Sequence, residues 1–202
     1  SKKNLLIIAV LLIAVAAFVQ LYSKKEKRRD DTPVGKPIAS TDLIEAIDEV
    51  TIERGKNIVH LKKIIDRWIV VEKNGFPADT PKLVGLLDNL TSYNVASLIT
   101  KDEGRFSDFQ LQGKTASGDS NRSTFLQLKS KGKDLFNMII GKNRDSLSKA
   151  PNRPTQPDGT YIRIGDTVAV FLIKENLTID ATVDDWINKV LVTISKKKIK
   201  TI

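Results

Sequence analysis

Residues 5–22 form an unbroken apolar run, LLIIAVLLIAVAAFVQLY, which contains no charged residue, no proline and no glycine. A helix of this length rises about 1.5 Å per residue and is about 27 Å long, close to the hydrocarbon thickness of a bilayer. The sequence therefore predicts a transmembrane signal anchor over residues 1–22. The side chains expected to face lipid are Leu5, Leu6, Ile7, Ile8, Leu11, Leu12, Ile13, Phe18, Leu21 and Tyr22.

Two alternatives to an anchor are a buried core helix and a cleaved signal peptide. A helix that is apolar all round and charged at both ends fits a bilayer better than a small core. The signal-peptide alternative rests on Lys2 and Lys3, the apolar run itself, and Ala14-Val15-Ala16, which resembles a cleavage site. We expect an uncleaved, single-pass anchor.

The charges that flank the apolar run bear on orientation. Lys2 and Lys3 precede it, whereas five basic residues follow it within residues 23–29. Because basic flanks tend to stay in the cytoplasm, charge alone would place the rest of the chain on the cytoplasmic side.

The net charge of +9 is concentrated at the two ends of the 202-residue chain. Residues 1–29 carry a net +6 and residues 196–202 a net +4, which leaves −1 for residues 30–195. A nucleic-acid-binding domain would carry its positive charge on the folded surface that follows the phosphates. We therefore predict no nucleic-acid partner and interpret the basic ends as segments next to a membrane.

The remaining chain divides by composition. Residues 23–40 are charged and contain two prolines and a glycine, which predicts a linker. Residues 41–195 are predicted to form the extramembrane domain. Residues 196–202 (KKKIKTI) are either a basic tail or the start of a second repeat.

The domain is predicted to be α+β, with a mainly antiparallel sheet, one amphipathic helix over about 80–92 and a short helix over about 183–189. The helix prediction rests on leucines spaced i, i+3, i+4 and i+7 after Pro81, with Thr80 as the cap. Alternating or continuous apolar residues predict strands. These are 47–53, 57–62, 68–72, 95–100, 123–129, 135–140, 161–164, 167–173 and 191–194.

Several short motifs follow one another in an order that resembles the bacterial domain of unknown function 4340 family. They are Val50-Thr51-Ile52, residues 58–61, Trp68-Ile69-Val70, residues 75–79, residues 139–142, residues 159–163, residues 168–172 and residues 184–189. The resemblance implies an N-terminal membrane segment, an extracytoplasmic α+β region and genes encoded beside gliding-motility-type ABC transporter subunits. It implies no catalytic residue. Its extracytoplasmic placement disagrees with the charge argument, so the topology stays open.

The composition argues against common catalytic and metal centres. The chain has no cysteine and a single histidine, which excludes thiolate and multi-histidine metal sites. His60 is expected at the surface of a strand, and Asp184-Asp185 are expected to cap a helix. Ile140-Gly141-Lys142 lacks the pattern of a phosphate loop. We predict no catalytic residue, no cofactor and no metal.

Two sets of residues are singled out instead. Structural roles are expected for Trp68, Phe76, Pro77, Ala78, Asp79 and Trp186. The stretch from residue 141 to 159 holds three prolines and is predicted to be a long loop, which often carries function. Its candidate partner contacts, with the strand that follows, are Lys142, Arg144, Arg153 and Tyr161.

These observations together predict a membrane-anchored, non-catalytic binding or scaffold subunit of a bacterial envelope complex. The expected partners are the lipid bilayer and other membrane-protein subunits, and the resemblance suggests an ABC transporter permease. The alternatives are a cytoplasmic-facing anchored regulatory subunit and a hydrolase that uses loop carboxylates.

Overall fold

A computed structural model of the chain describes residues 32–113, 123–145 and 157–190. Within them, nine antiparallel strands form one sheet in the order β4-β3-β2-β1-β6-β7-β8-β9-β5. The strands are β1 Glu49–Arg54, β2 Asn57–Ile64, β3 Arg67–Val70, β4 Phe76–Pro77, β5 Val95–Thr100, β6 Thr124–Ser130, β7 Lys133–Asp145, β8 Pro157–Ile164 and β9 Val170–Ile173. The predicted α+β class with a mainly antiparallel sheet is confirmed.

Two α-helices accompany the sheet in the described residues, α1 (Thr41–Glu45) and α2 (Thr80–Ser92). The predicted span of the longer helix is confirmed, but its cap is Asp79 and not Thr80. The Asp79 carboxylate accepts a hydrogen bond of 3.0 Å from the backbone N–H of Lys82. Three short 3-10 helices cover Val71–Lys73, Glu103–Phe109 and Val183–Asp185.

The main core lies between α2 and one face of the sheet. The helix contributes the four leucines that its spacing placed on one side, and the central strands contribute alternate residues, as period-2 strands do. The buried members from these elements are Leu83, Leu86, Leu87, Leu90, Val50, Ile52, Val59, Leu61, Leu126 and Leu128. Packing of these side chains fixes the helix across the sheet.

A second, smaller cluster lies on the opposite face. Ile139 and Tyr161 belong to it, whereas Met138, Ile140 and Ile162, their neighbours along β7 and β8, belong to the main core. Since successive side chains of a strand point to opposite faces, this half of the sheet is covered on both sides. The members of the second cluster are Phe109, Leu111 and Val170, with Ile99, Phe106, Ile139 and Tyr161 packed against them.

The folded unit begins before the predicted domain start at residue 41. Ile38 and Ala39 are buried, and their backbone N–H groups donate to the carbonyls of Tyr93 and Leu90 at 3.0 and 2.9 Å. Gly35 likewise donates to the carbonyl of Val95 at 2.8 Å. Residues 34–39 therefore belong to the domain, although their composition resembles a linker.

Two further expectations are corrected. The predicted loop from 141 to 159 is shorter, because β7 continues to Asp145 and β8 starts at Pro157. The predicted helix over 183–189 is only the 3-10 turn Val183–Asp185, since the chain bends at Trp186 and Ile187 forms a β-bridge with Ala78. The strand predicted over 191–194 lies outside the described residues.

Among the described residues, no helix combines the length and the apolar character that crossing a membrane requires. The predicted anchor residues, from Leu5 to Tyr22, lie outside the described part of the chain.

Two glycines provide a matched test of the packing. A Cβ at Gly141 would lie 2.2 Å from the carbonyl oxygen of Phe109 and 2.9 Å from Leu111, whereas Gly85 in α2 has open space around it. We expect Gly141→Ala to lower the free energy of unfolding by about 1–3 kcal/mol through overpacking. Gly85→Ala should raise it by up to about 1 kcal/mol through helix propensity.

Urea unfolding of the full chain in detergent measures both variants against the unmodified protein. Equal stability of the Gly141→Ala variant and the unmodified protein would contradict the close approach of β7 to the Phe106–Leu111 segment.

Candidate functional site

Aromatic and arginine side chains gather on the sheet face opposite α2. We call the set Arg105, Phe106, Phe109, Tyr161 and Arg163 the outer patch. The rings of Phe109 and Tyr161 have centroids 4.7 Å apart and are tilted by 52°. The guanidinium carbon of Arg163 lies 3.9 Å from the centre of the Phe106 ring, and that of Arg105 lies 5.4 Å from the centre of the Phe109 ring. These distances are within the range of cation–π attraction.

The 3-10 helix Glu103–Phe109 brings the patch residues onto the sheet. Asp102 caps its start by accepting the N–H of Gly104 at 2.9 Å, and Gln110 ends it in a left-handed conformation, with φ of 56°. Leu111 then buries its side chain against β7. Because Gly141 has no Cβ, the backbone of this segment can lie directly against that strand.

Arg163 holds the patch together. Its guanidinium donates to the carbonyl of Leu111 at 3.0 Å and to that of Thr167 at 3.2 Å. Burial lowers the pKa of Arg163, and the carboxylates of Glu103 and Asp166 partly offset this effect. An arginine remains protonated despite such a shift, so the patch carries a half-buried permanent cation.

The structure places three of the four predicted partner contacts near one another along β7 and β8. Lys142 is exposed in β7, and Tyr161 belongs to the outer patch. Arg144 forms an ion pair of 2.7 Å with Asp158, and this hydrogen bond raises the pKa of Arg144. Arg153 lies outside the described residues.

Sequence reasoning missed Arg105, Phe106, Phe109 and Arg163. The signal for Arg163 was its place two residues after Tyr161 on an alternating strand, which puts both side chains on one face. No such signal existed for Phe106 and Phe109, because they reach the same face only through the strand order.

The residues predicted to be structural converge in a second place. The carbonyl of Pro77 accepts the N–H of Asn188 at 2.9 Å, and the N–H of Asp79 donates to the carbonyl of Trp186 at 2.8 Å. We call residues 77–79 and 186–188 the junction. It joins segments that are more than one hundred residues apart in the sequence, and the Asp79 that caps α2 is part of it.

Trp186 is the anchor of the junction, with only 1% of its surface exposed. Its indole N–H donates to the carbonyl of Asp180 at 2.8 Å. The ammonium of Lys82 lies 4.9 Å from the centre of the ring and pairs with the Asp180 carboxylate at 2.6 Å. Of the other motif residues, Ala78 is buried, Trp68 is half-buried against the core and Phe76 is 38% exposed.

Two further candidates for chemistry have structural partners. His60 is exposed and pairs with Glu72 across neighbouring elements. Asp184 pairs with Lys73 at 2.6 Å. Asp184 and Asp185 lie in the first turn of a helix, where they were expected to add negative charge, but neither caps it, because Thr182 occupies the N-cap and its side chain makes no capping hydrogen bond.

The described residues contain no group of three or more histidine, aspartate or glutamate side chains placed to hold a metal ion.

The junction predicts a large loss of stability on truncation. Trp186→Ala removes a fully buried ring and should lower the free energy of unfolding by about 3–5 kcal/mol. Phe76→Ala, in the same region but substantially exposed, should cost about 1 kcal/mol or less. Chemical denaturation of the two variants measures the difference, and equal losses would contradict the anchoring role of Trp186.

The Lys73–Asp184 pair predicts a pH dependence. The hydrogen bond and charge of Lys73 lower the pKa of Asp184 below its ordinary 3.8. Its contribution to stability is therefore present above pH 3.8 and is lost as the pH falls through the lowered pKa. Asp184→Asn should be less stable than the unmodified protein at neutral pH and equally stable in strong acid.

Unfolding measured across this pH range tests the pair, and the Lys73→Gln background is the control. A pH-dependent difference that survives in that background would show that Lys73 is not its cause.

A family model described as a domain of unknown function (DUF4340) matches residues 68–202, which is more than half of the chain. The match includes both segments of the junction, and it includes the outer-patch residues. No curated protein and no solved structure matches the chain.

Proposed function

The chain belongs to the domain of unknown function 4340 family, and on this premise we propose that it is a single-pass membrane-anchored binding or scaffold subunit. It serves a bacterial envelope complex as a non-catalytic, auxiliary component of an ABC-type transporter. The observation that carries the proposal is the outer patch, a half-exposed group of aromatic and arginine side chains on one face of a rigid sheet.

The composition of the patch supports contact with another protein. Protein interfaces are enriched in tyrosine, phenylalanine and arginine, and a few such residues supply most of the binding energy. Phe109 is nearly buried and fixes the Tyr161 ring, while Arg163 is held by two backbone carbonyls. A partner would therefore meet side chains that have little conformational freedom left to lose.

The charges of the described residues support a non-catalytic role. An active site holds acids or bases with strongly shifted pKa values in a cleft. Here the groups with shifted pKa values are Lys62, Arg144 and Asp184, each in a surface ion pair, and Arg163, which is packed against a ring. In the three ion pairs the shift comes from a contact that joins two elements of the fold, and in Arg163 it comes from burial.

Membrane attachment is the part of the proposal that rests on sequence. Residues 5–22 would span the inner membrane, residues 23–33 would connect them to the sheet, and the domain would lie on the extracytoplasmic side. The five basic residues that follow the apolar run favour a second candidate, an anchored regulatory subunit whose domain faces the cytoplasm.

The patch is tested by charge reversal on its exposed rim. We expect the full chain, purified in detergent from its native membrane, to bring ABC transporter permease subunits with it. Arg105→Glu combined with Lys142→Glu should lower the permease recovered by about tenfold or more, which corresponds to at least ~1.4 kcal/mol of binding free energy. Lys56→Glu, on the β1–β2 turn, is the matched control and should change nothing.

Equal recovery of permease by the double variant and the control would contradict the role of the outer patch in binding. If the unmodified chain enriches no transporter subunits, the partner is not an ABC transporter. Protease added to intact spheroplasts separates the two candidates. Digestion of the domain supports the extracytoplasmic placement, and protection supports the cytoplasmic one.

A further inference from the structure

Two exposed isoleucines lie where β2 turns into β3, Ile64 as the last residue of β2 and Ile65 as the first residue of the turn. Ile65 is 89% exposed and Ile64 is 45% exposed, at the end of a hairpin whose last paired residues are Ile64 and Arg67. Every residue from Lys62 to Arg67 is exposed. Isoleucine in such a position contributes nothing to the core, and it leaves two large apolar side chains adjacent in water.

The backbone makes this choice of residue costly. Ile65 has a φ of 58°, in the left-handed region. A β-branched side chain is strongly disfavoured there, whereas glycine or asparagine would fit with less strain. Another residue at position 65 would therefore make the fold more stable. The presence of isoleucine there points to a contact with another molecule.

Basic side chains lie beside the isoleucines and on a second turn at the same end of the sheet. Lys63 and Arg67 lie beside them, and Lys131 and Lys133 lie on the β6–β7 turn at the same end of the sheet. Asp48 connects the two turns, since its carbonyl accepts the N–H of Lys63 at 2.7 Å and its carboxylate accepts the N–H of Lys131 at 2.9 Å. The hairpins are roughly 14 Å apart, which is three strand spacings.

The charge balance of this end is positive. Lys62 pairs with Glu49 and Lys129 pairs with Asp134, so these four charges cancel. Within residues 48–49, 62–67 and 129–134, Asp48 and Asp66 offset two of the four remaining cations, which leaves a net +2 for these segments. We call Lys63, Ile64, Ile65, Arg67, Lys131 and Lys133 the basic tip.

We propose that the basic tip is a membrane-docking site that binds the surface of a bilayer containing anionic phospholipid. Ile64 and Ile65 enter the acyl boundary, and the four cations lie at the level of the lipid phosphates. Burial of each isoleucine side chain is favourable, and each cation near an anionic surface adds to the attraction.

The composition favours lipid over a protein partner. Three of the four cations are lysines, which are depleted in protein interfaces but bind anionic lipid surfaces well. The inference goes beyond the proposed function, because it concerns the turn residues and not the outer patch or the identity of the complex.

The absence of cysteine from the chain allows a direct test. The full chain carrying Ile65→Cys is labelled with an environment-sensitive fluorophore and reconstituted into phosphatidylcholine vesicles with or without phosphatidylglycerol. We expect emission at shorter wavelength, and quenching by nitroxide-labelled lipid, only when phosphatidylglycerol is present. The same label at Val84→Cys, on the exposed side of α2, is the matched control and should respond to neither lipid.

Charge variants of the labelled chain test the cations. Lys63→Gln and Lys131→Gln should each lower the ratio of docked to free label by about fivefold, the factor that corresponds to ~1 kcal/mol per cation. Lys56→Gln, on the β1–β2 turn, should leave the ratio unchanged. Thermal unfolding of each variant confirms that it is folded, since these side chains are exposed and make no contact with the core.

Three outcomes would overturn the proposal. One is an Ile65 label that behaves like the Val84 label in both kinds of vesicle. Another is a ratio of docked to free label that is the same in the charge variants as in the unmodified sequence. The third is a response that requires added membrane proteins, which would make the tip a protein-binding site. None of these results bears on whether transporter subunits bind the outer patch, so the two proposals fail separately.

Discussion

The antiparallel pairing of β1 with β6 holds the two halves of the sheet together. β1 pairs with β2, its neighbour along the chain, and also with β6, in a register that runs from Glu49–Lys129 to Glu53–Phe125. Arg54 continues this connection, because its guanidinium donates to the Thr124 hydroxyl and to the carbonyl of Ile179, both at 2.8 Å. The pairing closes a long loop at an entropic cost, and burial of the apolar face of β1 under α2 offsets that cost.

The junction is the second long-range connection, and its hydrogen bonds and ion pairs occupy several polar side chains. Asp79 caps α2 and pairs its backbone with Trp186, while Lys82 reaches back to the same ring and to Asp180. Polar side chains that could be candidates for chemistry in the sequence therefore make contacts that stabilise the domain. The outer patch on the face of the sheet and the basic tip at its end take no part in the junction. They lie on different parts of the sheet and differ in chemistry, one aromatic with arginine and the other aliphatic with lysine.

Local sequence patterns predicted the elements that bury one face and expose the other. The leucine spacing of α2 and the alternation in β2 were sufficient, because each of these two elements has one face in the core and one in water. β9 was harder, since all four of its residues are buried and the sheet is covered on both faces there. Val170 lies in the second cluster, whereas its neighbour Phe171 lies in the main core. The outer patch and the basic tip depend on strand order, which no single segment encodes.

The strand order also limits how this domain can be divided. The segment that the family model covers starts at Trp68 in β3, yet β1 and β2 stand between β3 and β6. A fragment that starts at that boundary would lack β1 and β2, which lie inside the sheet. It would expose two unpaired strand edges, each with a row of unsatisfied backbone donors and acceptors. Such edges capture strands from other molecules. The boundary of sequence similarity is therefore not a boundary of folding, and a workable expression unit has to reach back to about Val34, where the compact unit begins.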